Sequence, residues 1–190
     1  MPYTAGVTGA VMSGQGASLM DALVTKTNPV DIAAVLPVVL EDPKVDINHP
    51  VLSLLQGDLG LVDPLNHAAA MVSSPPAAAN QKHVFQPYGQ GDTYAPPVTQ
   101  QTYALTAQLG QAVAPSGVTL DQFIPSAPIP LPAGGNVTVN GVTLTALLRQ
   151  YVSDGTYDGH FVAYDNPTAE ADVDAFVAAC VAGTTPMIGQ

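Results

Sequence analysis

Apolar residues along this chain fall into short runs whose period changes, and the runs end at Gly, Pro, Asn or Asp. Residues 7–13 are one continuous apolar stretch closed by Gly14-Gln15-Gly16, the pattern of a strand buried on both faces of a parallel sheet. Residues 82–88 predict the next strand, and 144–152 form an apolar stretch open to strand or helix that is read as a strand because a turn follows it. The first empties into Gly89-Gln90-Gly91-Asp92, the second into the Gly- and Asp-rich turn 153–159. Between these runs the period lengthens to that of a helix. Residues 17–24 predict a short helix. Asn28-Pro29 has the form of an N-cap followed by Pro at the first helical position, and Ile32, Val35, Leu36, Val39 and Leu40 then keep helical spacing, with Pro37 limiting or kinking the element. His49-Pro50 opens a helix over 48–59, residues 61–72 hold a third, short one, and Pro96-Pro97 leads into a helix over 97–109.

The C-terminal pattern is the clearest. Asn166 caps, Pro167 takes the first turn, and Val173, Phe176, Val177, Cys180 and Val181 mark the face that should meet a core, with Gly183 just past the end. Residues 110–135 are rich in Pro, Gly and Ser and predict a long surface excursion. Asn140-Gly141, set between β-branched residues, predicts a tight hairpin. The excursion with its hairpin spans 110–145. Strand, helices, strand, acid-bearing turn, helix, strand, turn and helix, in that order, is α/β alternation, so a mostly parallel sheet in one domain is expected.

Composition narrows the classes. The 190 residues are 47% hydrophobic and only 10% charged, a balance that packs a core. No run approaches the ~20 apolar residues of a membrane span. The formal net charge is −11, with Lys26, Lys44, Lys82 and Arg149 as the only Lys and Arg. That leaves no basic footprint for nucleic acid or an anionic membrane. The start carries no signal-peptide pattern, so localisation stays open; low lysine content is compatible with an exported protein. Cys180 is the lone cysteine and reads as a buried, inert thiol.

Two residues could carry chemistry: Asp92, just past an apolar strand, and His160, in the turn after the next one. Groups at the C-terminal ends of parallel strands converge on one edge. There a carboxylate can accept the imidazole Nδ1–H, fix its tautomer and stabilise the imidazolium. Asp158 lies too near His160 in sequence to fold back onto its ring and is expected to shape the turn. His49, His67 and His83 show no metal-ligand spacing, and Asp42, Asp46 and Asp58 do not match an EF-hand. Gly14-Gln15-Gly16 meets neither a Rossmann nor a Walker spacing. Asn136-Val137-Thr138 matches a glycosylation acceptor by pattern alone.

The segment His83-Val84-Phe85-Gln86-Pro87-Tyr88-Gly89-Gln90-Gly91-Asp92, with Pro96 four residues beyond, resembles the strand and acid loop of bacterial serine α/β-hydrolases of the lipase/esterase kind. Asp158-Gly159-His160-Phe161-Val162, followed by a long helix, resembles their histidine loop. Gly9-Ala10-Val11-Met12-Ser13-Gly14 is similar to the strand after their nucleophile-bearing helix. The resemblance implies an α/β-hydrolase-type sheet lacking its N-terminal strands, with residues 17–72 as a lid or cap. It also implies Asp92 and His160 as the acid and histidine of a triad, no cofactor, and an ester or lipid-like substrate. The pattern departs from the family at the serine, because no G-x-S-x-G elbow occurs. Ser13 suits the chain order of a triad, but Val11 and Gln15 stand where the elbow needs small residues. The expectation is therefore the C-terminal portion of a carboxylic-ester hydrolase, inactive alone, its other half encoded upstream or supplied in trans. The other reading is a non-catalytic hydrolase-like binding module or a decayed remnant.

Overall fold

The apolar runs at 7–13, 82–88 and 144–152 become neighbouring strands of one sheet. The computed structural model describes residues 2–190. In chain order the elements are β1 (Gly9–Val11), α1 (Leu19–Thr25), α2 (Ile32–Val39), α3 (Pro50–Leu59), β2 (His83–Gln90), α4 (Pro97–Ala107) and β3 (Gly110–Gln111). There follow β4 (Ala133–Gly134), β5 (Val137–Val139), β6 (Val142–Leu144), β7 (Ala146–Val152), α5 (Val162–Asp165), α6 (Pro167–Val181) and β8 (Met187–Ile188). The central sheet has four strands in the order β1-β2-β7-β3, every pair parallel. With six α-helices among the described residues, the fold is mixed α/β. β4 pairs with β8, and β5 with β6, as small antiparallel pairs.

β2 and β7 lie at the centre, and both are buried along nearly their whole length. Successive side chains point to opposite faces. Val84, Tyr88 and Leu148 therefore pack with Tyr103, Ala104 and Ala107 of α4, while Phe85, Leu147 and Tyr151 pack with Ala169 and Phe176 of α6. The β2–β7 register runs from Val84 beside Ala146 to Gln90 beside Val152, so the two strands end level. That register brings their following turns side by side.

Local signals decide most boundaries. His49 Nδ1 accepts from Val51 N at 3.3 Å and Pro50 takes the first turn, as the pattern predicts for α3. Asn166 Oδ1 accepts from Thr168 N and Ala169 N, both at 3.1 Å, capping α6. At the other end Gly183 (φ 68°) closes a Schellman turn, with Thr184 N bonded to Ala179 O and Gly183 N to Cys180 O. Asn140 (φ 50°) and Gly141 (φ 80°) make the β5–β6 turn, in the left-handed conformations a two-residue hairpin demands.

Several expectations are corrected. Asn28-Pro29 does not open α2: that peptide is cis, and Asp31 is the cap, its Oδ1 accepting from Ala34 N at 2.8 Å. Residues 61–72 form two single 3-10 turns, Pro64–Asn66 and Ala69–Met71, in place of a helix. The excursion at 110–135 is not wholly superficial, since Gly110–Gln111 joins the main sheet beside β7 and Gln111 is fully buried. In α6 the buried positions are Ala169, Asp172 and Phe176, whereas Val177 and Val181 are exposed. Asp172 is buried because it meets Arg149 of β7, accepts from Tyr151 OH at 2.5 Å, and accepts from Gly189 N at 2.7 Å. A charged side chain thus sits in a stripe that apolar spacing alone assigns to valines.

Candidate active site

The acid turn is built by its own carboxylate. β2 ends at Gln90, Gly91 takes a left-handed φ of 74°, and Asp92 Oδ1 accepts from Tyr94 N at 2.8 Å and Ala95 N at 2.7 Å. These bonds close the turn and hand the chain to α4 at Pro97. The histidine turn is built the same way. Asp158 caps the 3-10 turn Gly159–Phe161, its Oδ1 accepting from His160 N at 2.9 Å. Asp158 also reaches across: Oδ2 accepts from Thr93 Oγ1 at 2.6 Å and Oδ1 from Thr93 N at 3.2 Å. The expected turn-shaping role is met, and the same carboxylate ties the histidine turn to the acid turn. Burial raises its pKa, but the bonds from Thr93 and from His160 N outweigh burial, so the net shift is downward.

Two glycines permit the contact. A Cβ on Gly89 would lie 1.8 Å from Gly159 O, and one on Gly159 would lie 2.5 Å from Gln90 O and 2.7 Å from Asp92 N. The backbones touch where any side chain would hold them apart.

The two residues singled out by sequence do meet. His160 Nδ1 lies 3.0 Å from Asp92 Oδ2. The Asp92 side chain is fully buried and that of His160 is 31% exposed. Asp92 Oδ2 also accepts from Gln100 Nε2 at 2.8 Å. Burial raises the Asp92 pKa, partly offset by the bonds from Ala95, His160 and Tyr94. The imidazole is held on its faces as well: Tyr94 stacks on it with centroids 4.9 Å apart, and Phe161 packs edge-on at 5.2 Å. Gly14 covers Cε1, where a Cβ would come within 2.4 Å. Nε2 has no hydrogen-bond partner among the described residues and is the ring atom left to act.

The other candidates make no hydrogen bond to the Asp92–His160 pair. Ser13 follows β1 and is half-buried, and no hydrogen bond joins it to His160. His67 bonds Tyr3 OH at 3.0 Å and Leu61 O at 2.8 Å. His83 Nδ1 accepts from Thr145 N at 2.9 Å, and burial lowers its pKa. Cys180 lies under Gly9 at the β1–α6 contact, its pKa raised by burial. No cluster of three or more His, Cys, Asp or Glu able to hold a metal, and no helix long and apolar enough to cross a membrane, occurs among the described residues.

Sequence reasoning missed Gln100, Thr93 and Tyr94, whose roles arise from contacts made only after folding. A cleft of about 290 Å³ is lined chiefly by Met12, Gln15, Val62, Pro64, Ala68 and Met71. Asp92 and His160 do not line it; Gly14, between Met12 and Gln15 in sequence, is the link to the imidazole. Comparison with protein-family models, curated proteins and solved structures returns no match to this chain.

Proposed function

We propose that Asp92 and His160 are the acid and the base of a serine-type carboxylic-ester hydrolase of the lipase/esterase kind, on an α/β-hydrolase-type sheet. One observation carries this: a buried carboxylate bonded to Nδ1 of a half-exposed histidine, at the level ends of adjacent parallel strands, with Nε2 unpartnered. In that role Nε2 takes the proton of an attacking serine hydroxyl as its oxygen bonds to the acyl carbon. Asp92 stabilises the imidazolium, and Nε2 then gives the proton to the leaving alkoxide. A deacylating water repeats the cycle. The helical region 17–72 serves as a cap in this reading, and the apolar cleft lined partly by its residues 62–71 suits an uncharged acyl group.

The nucleophile is not assigned to this chain. Ser13 lacks both the small neighbours of an elbow and a bond to His160. We therefore expect the 190 residues alone to hydrolyse p-nitrophenyl butyrate no faster than their His160→Ala variant. Supplied with a serine-bearing segment, the assembly should turn over, and Asp92→Asn should then lower kcat by roughly 10⁴-fold. Turnover by the chain alone that depends on both Asp92 and His160 would overturn the need for an outside serine. The same absence of an elbow favours the second reading, a non-catalytic hydrolase-like module. Turnover that no serine-bearing segment restores would select it.

A further inference from the structure

We infer that Gln100 is a positioning residue for the Asp92–His160 pair, its buried side-chain amide holding the carboxylate turned so that Oδ2 faces Nδ1. The inference rests on reading Asp92 and His160 as an acid–histidine pair, but not on ester turnover. The two carboxylate oxygens are treated differently. Oδ1 is fixed by backbone donors, Tyr94 N and Ala95 N. Oδ2 has no backbone donor, and among the described residues its donors are Gln100 Nε2 at 2.8 Å and His160 Nδ1 at 3.0 Å. The orientation of the amide follows from its neighbours. Gln100 Nε2 also meets Ala95 O at 2.9 Å, and a carboxylate oxygen and a carbonyl oxygen can only accept, so the NH₂ group must face them.

Gln100 is itself held. Its side chain is fully buried on α4, and its backbone carbonyl accepts from Gln86 Nε2, also fully buried on β2, at 3.2 Å. Gln86 Nε2 reaches Gln15 O at 3.3 Å, in the loop that lays Gly14 on the imidazole. Two amides thus connect the acid, its helix and the loop covering the histidine. They carry a stability penalty, because Oε1 of Gln86 and Oε1 of Gln100 are buried without partners. A thioether or alkyl side chain of similar size would fill the space around Gln100 without that penalty, so packing alone does not account for the amide. A neutral donor on Oδ2 favours the ionised carboxylate against the effect of burial, and does so without a cation that would compete with the imidazolium for Asp92.

The test is NMR of the intact chain, with ¹³C-labelled Asp side chains and long-range ¹H–¹⁵N spectra of His160. In Gln100→Met the midpoint of the Asp92 carboxyl titration should move upward, and the fraction of His160 carrying its proton on Nδ1 should fall. Gln101→Met is the control on the same helix, since Gln101 Nε2 bonds Tyr88 OH and Asp121 and not Asp92, and should move neither signal. An unchanged Asp92 midpoint and tautomer in Gln100→Met overturns the inference, as does an equal change in Gln101→Met. Should Gln100→Met fail to fold, the parent chain decides: the Gln100 side-chain amide protons must shift with the Asp92 midpoint, and if they do not, Gln100 is only a packing residue. None of these signals depends on whether the protein cleaves esters.

Discussion

Two aspartates at the site are shifted in opposite senses because burial outweighs the donors at Asp92 and the donors outweigh burial at Asp158. Asp158 is held below the ordinary carboxylate range by donors from Thr93 and His160 N that outweigh its burial. Its stabilisation is present above the unfolded pKa, near 3.9, and is lost as pH falls through its lower folded value. Asp92 is raised, chiefly by burial. A raised carboxyl contributes stability below the unfolded pKa and loses it as pH rises through the folded value. Above its folded value the buried Asp92 carboxylate is therefore a cost to folding. Urea unfolding of Asp92→Asn and of the parent should show their stability difference moving in favour of the variant between pH 4 and pH 7. A difference that moves the other way would mean that Asp92 stabilises the fold as an anion.

At the scale of elements, the site is two turns pressed together by glycine. Gly159 sits against Gln90 O and the Asp92 backbone, so the Cβ added by Gly159→Ala would come within 2.5 Å of Gln90 O and 2.7 Å of Asp92 N. Neither side can yield without disturbing β2, and overpacking of this kind costs about 1–3 kcal/mol. The expected result is that loss in urea unfolding, together with loss of the Nδ1–H tautomer of His160. An alanine variant with parent stability and an intact tautomer would refute the close approach. The sequence shows Asp92 and His160 because each follows an apolar run ending in turn residues, which is a local signal. It also shows β2, α3, α4, the hairpin and α6, whose caps lie within a few residues of what they cap. It does not show that Asp63 receives the α1 start through Ser18 N at 3.0 Å and Leu19 N at 2.9 Å, across 45 and 44 residues. Asp158 on Thr93 and Asp172 on Arg149 are hidden for the same reason, whereas Gln100 meets Asp92 only eight residues away, because α4 brings its amide back onto the turn it follows. Each is a polar residue whose partner is fixed by how the turns and helices pack on the sheet, and that packing leaves no mark on either segment alone. β3 is two residues long, too short for any period to be read.

The whole molecule sets many exposed apolar side chains against a strong negative charge. α2 buries none of its residues, and Val38, Leu54, Leu61 and Val62 of the region 17–72 are 76%, 73%, 85% and 67% exposed. Of the four cations, Lys82 is fully buried and Arg149 is spent on Asp172, which leaves Lys26 and Lys44 to face solvent against a net charge of −11. Exposed apolar side chains favour association of copies, while like charge keeps them apart over a range that salt shortens, from a Debye length of roughly 30 Å at 0.01 M to about 8 Å at 0.15 M. Self-association should therefore rise with salt, opposite to an assembly held by ion pairs. Sedimentation or light scattering across that range should show the mean mass of the chain growing. The double variant Val38→Glu, Leu61→Glu should abolish the growth while leaving the Asp92–His160 contact, which lies at the sheet's strand ends, unaltered by NMR. Mass that falls with salt, or growth that survives both glutamates, would assign association to another surface, of which the unpaired edge of β1 is the next in line.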